Sequence, residues 1–197
     1  MIESITGVES RPEQGLLERA RGGEREAFAE LVRRHQDRVF GFCLSMLPDR
    51  AEAEEAAQDA FIKAFEALRD FRGDSAFSTW ILSIASNHCL DRLRRRGRRR
   101  ESSLDGLSQE DRDRLESWLV QADPEASLEA SDLVGRALGQ LPEEYRAVLV
   151  LREMQGLSYR EIALVLGSSL DSVKARLRRA RAELERGLRH FLGPGDV

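Results

Sequence analysis

Apolar residues recur every three or four positions along the first half of the chain, which is the spacing of one face of an α-helix. Three such stripes lie between about residues 24 and 96, and Pro48-Asp49 separates the first two. The stripes consist of Phe28, Leu31, Val32, His35, Val39 and Phe42; of Ala57, Ala60, Phe61, Ala64, Phe65 and Leu68; and of Trp80, Ile81, Ile84 and Ala85. No segment sustains a period-two alternation, so the pattern predicts helices and no strands.

A second apolar stretch begins near Leu128 and carries several signals for helix ends. Pro142 suits the first turn of a helix, because its missing N–H costs little there, and Gln155-Gly156 is typical of a helix end. Ser158 followed by Glu161 predicts a capping box, in which each side chain bonds to the backbone of the other residue. A turn at Gly167-Ser168-Ser169 then precedes a long helix, whose apolar face is formed by Val173, Leu177, Ala180, Leu184 and Leu188.

Residues 97–127 differ from both stretches, because they carry much charge and few apolar side chains. We interpret them as a flexible linker with one short helix around Leu115 to Val120. The predicted fold is all-α, with two small helical domains. An N-terminal extension (1–23) precedes the first domain (24–96), and the linker joins it to the second (128–192). We expect the apolar clusters of the two domains not to merge.

The distribution of charge is more informative than the net charge of −4. Residues 92–100 hold seven arginines and no acid, whereas residues 101–132 hold ten acids and two arginines. A basic run of this kind binds nucleic-acid phosphate, although a solvated basic helix end has the same composition. The acidic group between Asp49 and Asp59 suits a basic partner, and solubility explains it equally well.

Several classes of protein are disfavoured by the sequence. No run approaches the roughly 18 apolar residues of a membrane span, and the N-terminus lacks the pattern of a secretory signal, so we expect a cytoplasmic protein. Cys43 and Cys89 flank no CxxC and are interpreted as reduced core residues. His88-Cys89 has no accompanying metal ligands, and HExxH, GxxxxGK and GxSxG patterns are absent from the sequence. We therefore expect no metal, no cofactor and no enzymatic activity.

The strongest functional pattern lies between Ser158 and Arg181. A short capped helix, a turn that opens on glycine and a second helix are the parts of a helix-turn-helix. The outer face of the second helix is basic, with Lys174, Arg178 and Arg181. Such a face can read a major groove and bind phosphates. The alternative is an ordinary helical hairpin with a solvated basic face.

Two long segments resemble one known family, the extracytoplasmic-function sigma factors of bacterial RNA polymerase. Residues 141–184, from LPEEYRAVLVL to RLRRARAEL, resemble region 4 of that family. Residues 27–68, and 71–96 with the segment FRGDSAFSTW, resemble region 2. The resemblance covers more than half of the chain, in the family's order. It implies a factor that gives core RNA polymerase its promoter specificity, in a stress or envelope response.

The resemblance also implies roles for individual residues. The upstream duplex element of the promoter would be read by Ser172, Lys174, Ala175, Arg176, Arg178 and Arg179. The melted strand would be captured by Phe71, Arg72, Asp74, Ser75 and Asn87. Core polymerase would be bound by Glu54, Glu55, Gln58, Asp59 and Phe61. For Phe71, packing in the core is an equally good interpretation, and for Phe77 and Trp80 it is the preferred one.

The chain departs from the family pattern in its recognition helix. Asp171 stands where a glycine is usual, and Ala175 stands where a serine is usual. A carboxylate there interacts favourably with the helix dipole but repels phosphate, so we expect the upstream sequence that is read to differ from the common one.

The resemblance also implies an anti-sigma factor as a partner, beside core polymerase and promoter DNA. Two alternatives remain at this point: a stand-alone helix-turn-helix regulator with an N-terminal sensor or dimerisation region, and a helical adaptor without DNA contact.

Overall fold

A computed structural model describes residues 11–47, 49–102 and 128–192 of the chain. The first helical region, residues 11–102, contains a 3₁₀ turn at Leu68–Asp70 and four helices. These are α1 (Arg11–Arg21), α2 (Arg25–Met46), α3 (Arg50–Ala67) and α4 (Phe77–Ser102). The second helical region, residues 128–192, contains a π-helical turn at Val150–Met154 and four further helices. These are α5 (Leu128–Gln140), α6 (Glu143–Leu149), α7 (Tyr159–Val165) and α8 (Leu170–Leu192).

The all-α prediction is confirmed, and the described part of the chain contains no strand. Helix α3 begins where Asp49 accepts a hydrogen bond from the Glu52 amide, at 2.9 Å. Helix α7 begins with the predicted capping box, since Ser158 Oγ accepts from the Glu161 amide and Glu161 Oε2 accepts from the Ser158 amide. Gly167 has φ +56°, the left-handed conformation that glycine adopts without a steric penalty.

Helix α1 is an addition to the prediction, which treated residues 1–23 as an extension. It packs against α2 and the 3₁₀ turn, and it buries Leu17 and Ala20. Helix α1 is short, and Gly22 and Gly23 follow it directly. The periodic pattern of apolar residues in this segment is therefore weak. The predicted helix around Leu115 to Val120 and the remainder of the linker lie outside the described residues.

The expectation that the two apolar clusters do not merge is wrong. Buried residues of both helical regions form one continuous core. Helix α4 packs on α7 and α6, and α2 packs on the π-helical turn, α5 and α6. Periodicity shows which face of a helix is apolar but not which helix covers that face, so the sequence could not decide between two cores and one.

Polar contacts also join the two regions at this interface. Arg146 is buried, and its guanidinium donates to the carbonyl oxygens of Met46 (2.8 Å), Leu138 (2.9 Å) and Gly139 (2.7 Å). Arg38 donates to the side chain and the backbone oxygen of Gln155, at 3.0 and 2.7 Å. The carbonyl oxygens of Met46 and Gly139 lie at the ends of α2 and α5, where a carbonyl has no partner within its helix, so the bonds from Arg146 satisfy them.

Candidate nucleic-acid and polymerase interfaces

Helix α8 divides into an anchored face and an exposed basic face. Val173, Leu177 and Ala180 are fully buried, as the sequence predicted for the anchoring side. The predicted groove-facing residues Lys174, Arg178 and Arg179 are exposed. Val173 and Leu177 are four residues apart, as are Lys174 and Arg178, so each pair lies along one side of the helix. The structure therefore presents a basic helix surface to solvent on a firmly packed base.

Neighbouring acids modify this surface. Lys174 Nζ lies 3.4 Å from the Asp171 carboxylate, and Arg176 lies 3.0 Å from Glu144 of α6. Arg181 lies 2.7 Å from Glu153. Ser172, Ala175 and Arg176 are half-buried. Arg178 and Arg179 thus project further from the domain than Arg176, whose charge is already opposed by Glu144.

The turn between α3 and α4 rests on a cluster of aromatic rings. The Phe71 ring lies 4.7 Å from the Trp80 ring and 6.3 Å from the Phe77 ring, between centroids. Phe71 is only 6% exposed, so its ring packs in the core and does not face solvent. Phe77 is fully buried, in agreement with the preferred core interpretation, and Trp80 is partly buried against the same core.

The polar residues of this turn lie outside the cluster. Arg72, Asp74 and Asn87 are exposed, and Ser75 is half-buried. Gly73 has φ +77°, which lets the backbone turn between Arg72 and Asp74 without steric strain. The turn therefore offers polar donors and acceptors to solvent, with the aromatic rings directly beneath them.

Helix α3 exposes acidic and polar residues on one side. Glu54, Glu55 and Gln58 are exposed, Asp59 is half-buried, and Phe61 is 8% exposed. Phe61 belongs to the core of the first region. Of the predicted polymerase-binding residues, it is the one whose side chain lies away from the surface.

Two of these acids are paired with the basic run of α4. Arg92 lies 3.0 Å from Glu55 and 3.3 Å from Asp59. The hydrogen bond from Arg92 lowers the pKa of Glu55. Arg94 approaches Asp91 and Glu144, at 3.7 and 3.9 Å. The beginning of the basic run therefore faces protein acids, a contact that the sequence pattern did not indicate.

His88 lies in the cleft between α3 and α4. Its ring nitrogens are 2.8 Å from Lys63 Nζ and 3.0 Å from Arg92 Nε, and its Nε2 is 3.1 Å from the Asp59 carboxylate. Burial lowers the pKa of His88, and the two neighbouring cations lower it further. The imidazole therefore favours its neutral form.

The remaining candidate chemistry is limited in the part of the chain that the structure describes. Its His, Cys, Asp and Glu residues form no cluster of three that could hold a metal ion. Cys43 and Cys89 are buried free thiols, and the contact with Cys43 and burial raise the pKa of Cys89. None of the helices described is long and apolar enough to cross a membrane.

Sequence reasoning missed the residues that join the two regions. Arg38 and Glu144 carry no distinctive signal, because each is an ordinary polar residue of a helix, and Gln155 was identified only as part of a helix end. Arg146 had a signal, since it directly precedes a run of five apolar residues. A charged residue at the edge of such a run is expected to be buried with partners.

Comparison with known proteins gives two family matches that together span more than half of the chain. Residues 31–99 match the family model described as Sigma-70 region 2. Residues 131–184 match the one described as Sigma-70, region 4. The segment that bears the aromatic turn and the acidic side of α3 lies within the first match, and the exposed basic helix lies within the second.

Relatives similar over nearly the whole chain include two proteins of known class. The RNA polymerase sigma-H factor of Pseudomonas aeruginosa is 39% identical, over 91% of this chain and 95% of the relative. The ECF RNA polymerase sigma-E factor of Escherichia coli K12 is 37% identical, over 90% and 94%.

Solved structures with a similar fold contain partner proteins. One, described as CnrH in complex with the cytosolic domain of CnrY, has a TM-score of 0.64 at 28% identity and covers 88% of this chain and 95% of its own. Another is the sigma factor RpoE with the anti-sigma factor NepR from Bartonella quintana. It has a TM-score of 0.66 at 24% identity and covers 82% and 96%.

Proposed function

The chain belongs to the sigma-70 family of RNA polymerase sigma factors, in its extracytoplasmic-function group, and from this membership we propose how its surfaces divide the work of promoter recognition. The protein directs core RNA polymerase to promoters and supports transcription initiation. One observation carries the proposal: an exposed basic recognition helix and an exposed polar turn over aromatic rings belong to the same chain. The first suits duplex DNA and the second suits an unpaired strand.

We assign the upstream duplex element to α8. The buried side of the helix fixes its orientation, and the exposed Lys174 and Arg178 are placed to reach base edges. Arg179, further along the helix, is proposed as a phosphate contact. Ser172, Ala175 and Arg176 complete the surface, and the Glu144 carboxylate restrains Arg176 at its border. Asp171 is opposed by Lys174, which reduces the repulsion between that carboxylate and phosphate.

We assign capture of the melted strand to the turn between α3 and α4 and to Asn87. Arg72, Asp74 and Asn87 are exposed and supply hydrogen-bonding groups, with Ser75 beside them. Phe71 supports this turn from below, because its ring is packed against Trp80. A flipped base would contact the polar rim first and would reach the Phe71 ring only if the turn moved.

We assign the docking of core polymerase to the exposed side of α3. Glu54, Glu55 and Gln58 form that side, with Asp59 at its edge. Charge complementarity supports the assignment, because acidic rim residues accelerate association with a basic partner. For Phe61 we propose a supporting role, since its side chain is 8% exposed and belongs to the core against which α3 packs.

The wider assignment follows from family membership. We propose that the protein works in the cytoplasm with core polymerase and promoter DNA, in a stress or envelope response. We further propose an anti-sigma factor as its inhibitor, since a sigma factor of the same fold has been solved with one. Recognition, rather than catalysis, is its proposed contribution, and the chemistry of RNA synthesis belongs to the polymerase.

An in vitro transcription assay tests the proposed function. Purified protein is added to core polymerase with a pool of genomic fragments from its own source, and the transcripts are mapped. The expected result is new, discrete start sites that depend on the protein and share an upstream element. Tight operator binding without core polymerase, together with no protein-dependent transcript, would favour the stand-alone helix-turn-helix regulator instead.

A further inference from the structure

Helix α1 lies outside the segments that match the family models, yet it is fixed firmly to the first region. Leu17 and Ala20 are buried against the core, and Glu13 Oε1 lies 2.6 Å from His35 Nε2 of α2. Arg19 and Glu24 pair across the turn that joins α1 to α2. These contacts extend from Glu13 to Ala20, so they fix the position of the helix on the domain.

The Glu13–His35 pair lies behind the aromatic cluster of Phe71, Phe77 and Trp80, on which the turn between α3 and α4 rests; we call this turn, residues 71–76, the strand-capturing turn. The ring of His35 is 5.2 Å from the ring of Phe77, between centroids. Phe77 in turn contacts both Phe71 and Trp80, at 6.3 and 5.7 Å. A continuous series of packed groups therefore leads from α1, through His35 and Phe77, to the base of the turn.

A second contact joins α1 to the same turn. The 3₁₀ turn Leu68–Asp70, which leads directly into Phe71, packs against α1. Glu18, Arg21 and Gly22 at the end of α1 form a shallow surface hollow together with Arg69. Helix α1 thus supports the strand-capturing turn from two sides, through the 3₁₀ turn before it and through the aromatic rings beneath it.

We propose that α1 is a positioning element for capture of the melted strand, and that the Glu13–His35 hydrogen bond is the contact through which it acts. The pair is largely buried, with side-chain exposures of 17% and 11%, so water competes poorly for its bond. Its loss would loosen the Phe77 ring and, with it, the turn that bears Arg72 and Asp74. In this role neither Glu13 nor His35 is expected to touch DNA. This inference rests on the proposed function.

The test compares four versions of the full-length protein with core polymerase: the parent, Glu13→Ala, Glu13→Gln and Gln14→Ala. Glu13→Gln keeps an oxygen that accepts a bond from His35, whereas Glu13→Ala removes it. Gln14→Ala changes an exposed residue of the same helix and is the matched control. Each complex is scored on a promoter found in the transcription assay, by permanganate reactivity of melted thymines, by affinity for the upstream duplex and by competition for core.

Glu13→Ala is expected to reduce the melting signal about three- to tenfold, the effect of losing one hydrogen bond. Upstream affinity and competition for core should remain at the parental level. Glu13→Gln and Gln14→Ala should behave like the parent. Since the protein has two tryptophans, repeating the series in a Trp118→Phe background makes Trp80 emission a direct report on the aromatic cluster. That emission should change only in Glu13→Ala.

Two results would overturn the inference. In the first, Glu13→Ala melts promoters as well as the parent. In the second, it loses melting, upstream affinity and competition for core together, which indicates a general loss of folded protein. A parent that directs no initiation at all would contradict the proposed function, and this outcome is recognised before any variant is compared.

Discussion

The guanidinium of Arg146 donates a hydrogen bond of 2.8 Å to the carbonyl oxygen of Met46, 100 residues earlier in the chain. Met46 is the last residue of α2, so its carbonyl has no partner within the helix. Arg146 also bonds to carbonyl oxygens near the end of α5. One side chain therefore completes the ends of two helices and joins the two helical regions.

Replacement of Arg146 by methionine should lower the free energy of unfolding by about 1–3 kcal/mol, the cost of leaving buried acceptors without donors. Arg146→Lys should also destabilise the protein, because a single ammonium cannot reach carbonyls on two helices at once. Urea denaturation followed by circular dichroism measures both effects. Arg178→Met, an exposed arginine of α8, is the control and should change stability by less than about 0.5 kcal/mol. Equal stabilities for Arg146→Met and Arg178→Met would contradict the role of Arg146.

Charge reversal on α3 should weaken binding to core polymerase. We expect the double variant Glu55→Lys/Asp59→Lys to compete poorly for core, because an acidic surface that meets a basic partner becomes repulsive. Both acids also pair with Arg92, so the variant breaks an internal contact as well. Arg92→Gln separates the two effects, since it removes the internal partner and leaves both acids. Arg92→Gln should retain core binding, and if it fails as badly as the double variant, the docking assignment is wrong.

In the proposed site for the melted strand, replacement of a buried residue should have a different effect from replacement of an exposed one. Phe71→Ala should destabilise the protein by about 3–5 kcal/mol, as the loss of a buried aromatic side chain does. Asn87→Ala should leave stability unchanged and reduce permanganate reactivity of melted thymines, with normal affinity for the upstream duplex. Asp91→Ala, one turn further along the exposed side of α4, should not reduce melting. Parental melting by Asn87→Ala would remove Asn87 from the proposed site.

Replacement of two arginines of α8 should affect DNA binding in two different ways. Arg178→Ala should lose about 1–3 kcal/mol of discrimination between matched and scrambled upstream duplexes, if its guanidinium pairs with a base. Arg179→Ala should weaken binding to both duplexes alike. It should also lower the slope of log affinity against log salt concentration by about one, as the loss of a phosphate contact does. Binding across a salt series, with core present, separates the two. Changes below about twofold for both variants would show that the charges are only a solvated basic face.

Stability should fall in mild acid because of His88. Burial and the nearby Lys63 and Arg92 lower the pKa of His88 in the folded state, so below about pH 6.5 the unfolded chain binds a proton that the folded protein does not. The stabilising contribution is fully present above that pH and is lost as the pH falls towards the folded-state pKa. His88→Gln should therefore show a flatter dependence of melting temperature on pH between 5 and 8. Parallel curves for parent and variant would exclude His88 as the cause.

The sequence by itself determined most of the elements and most of their faces. Apolar spacing located α2, α3, α4 and the helices of the second region, because burial of one helix side requires that period. The capping box at Ser158 and the turn at Gly167 followed from local backbone chemistry, which depends on a few neighbouring residues. The basic side of α8 was equally visible, since charged residues must lie opposite the buried stripe.

Only the tertiary structure decided which elements meet. The sequence around Phe71 fits both a ring packed in a core and a ring stacked on a base. The contact of its ring with Trp80 shows that it is packed in the core of this fold. Arg146 and Met46 are far apart in the chain, so no local pattern relates them, and the merging of the two cores depends on such contacts. Helix α1 is too short to be stable alone. Its position is fixed by the contacts of Glu13, Leu17 and Ala20 with elements that follow it in the sequence.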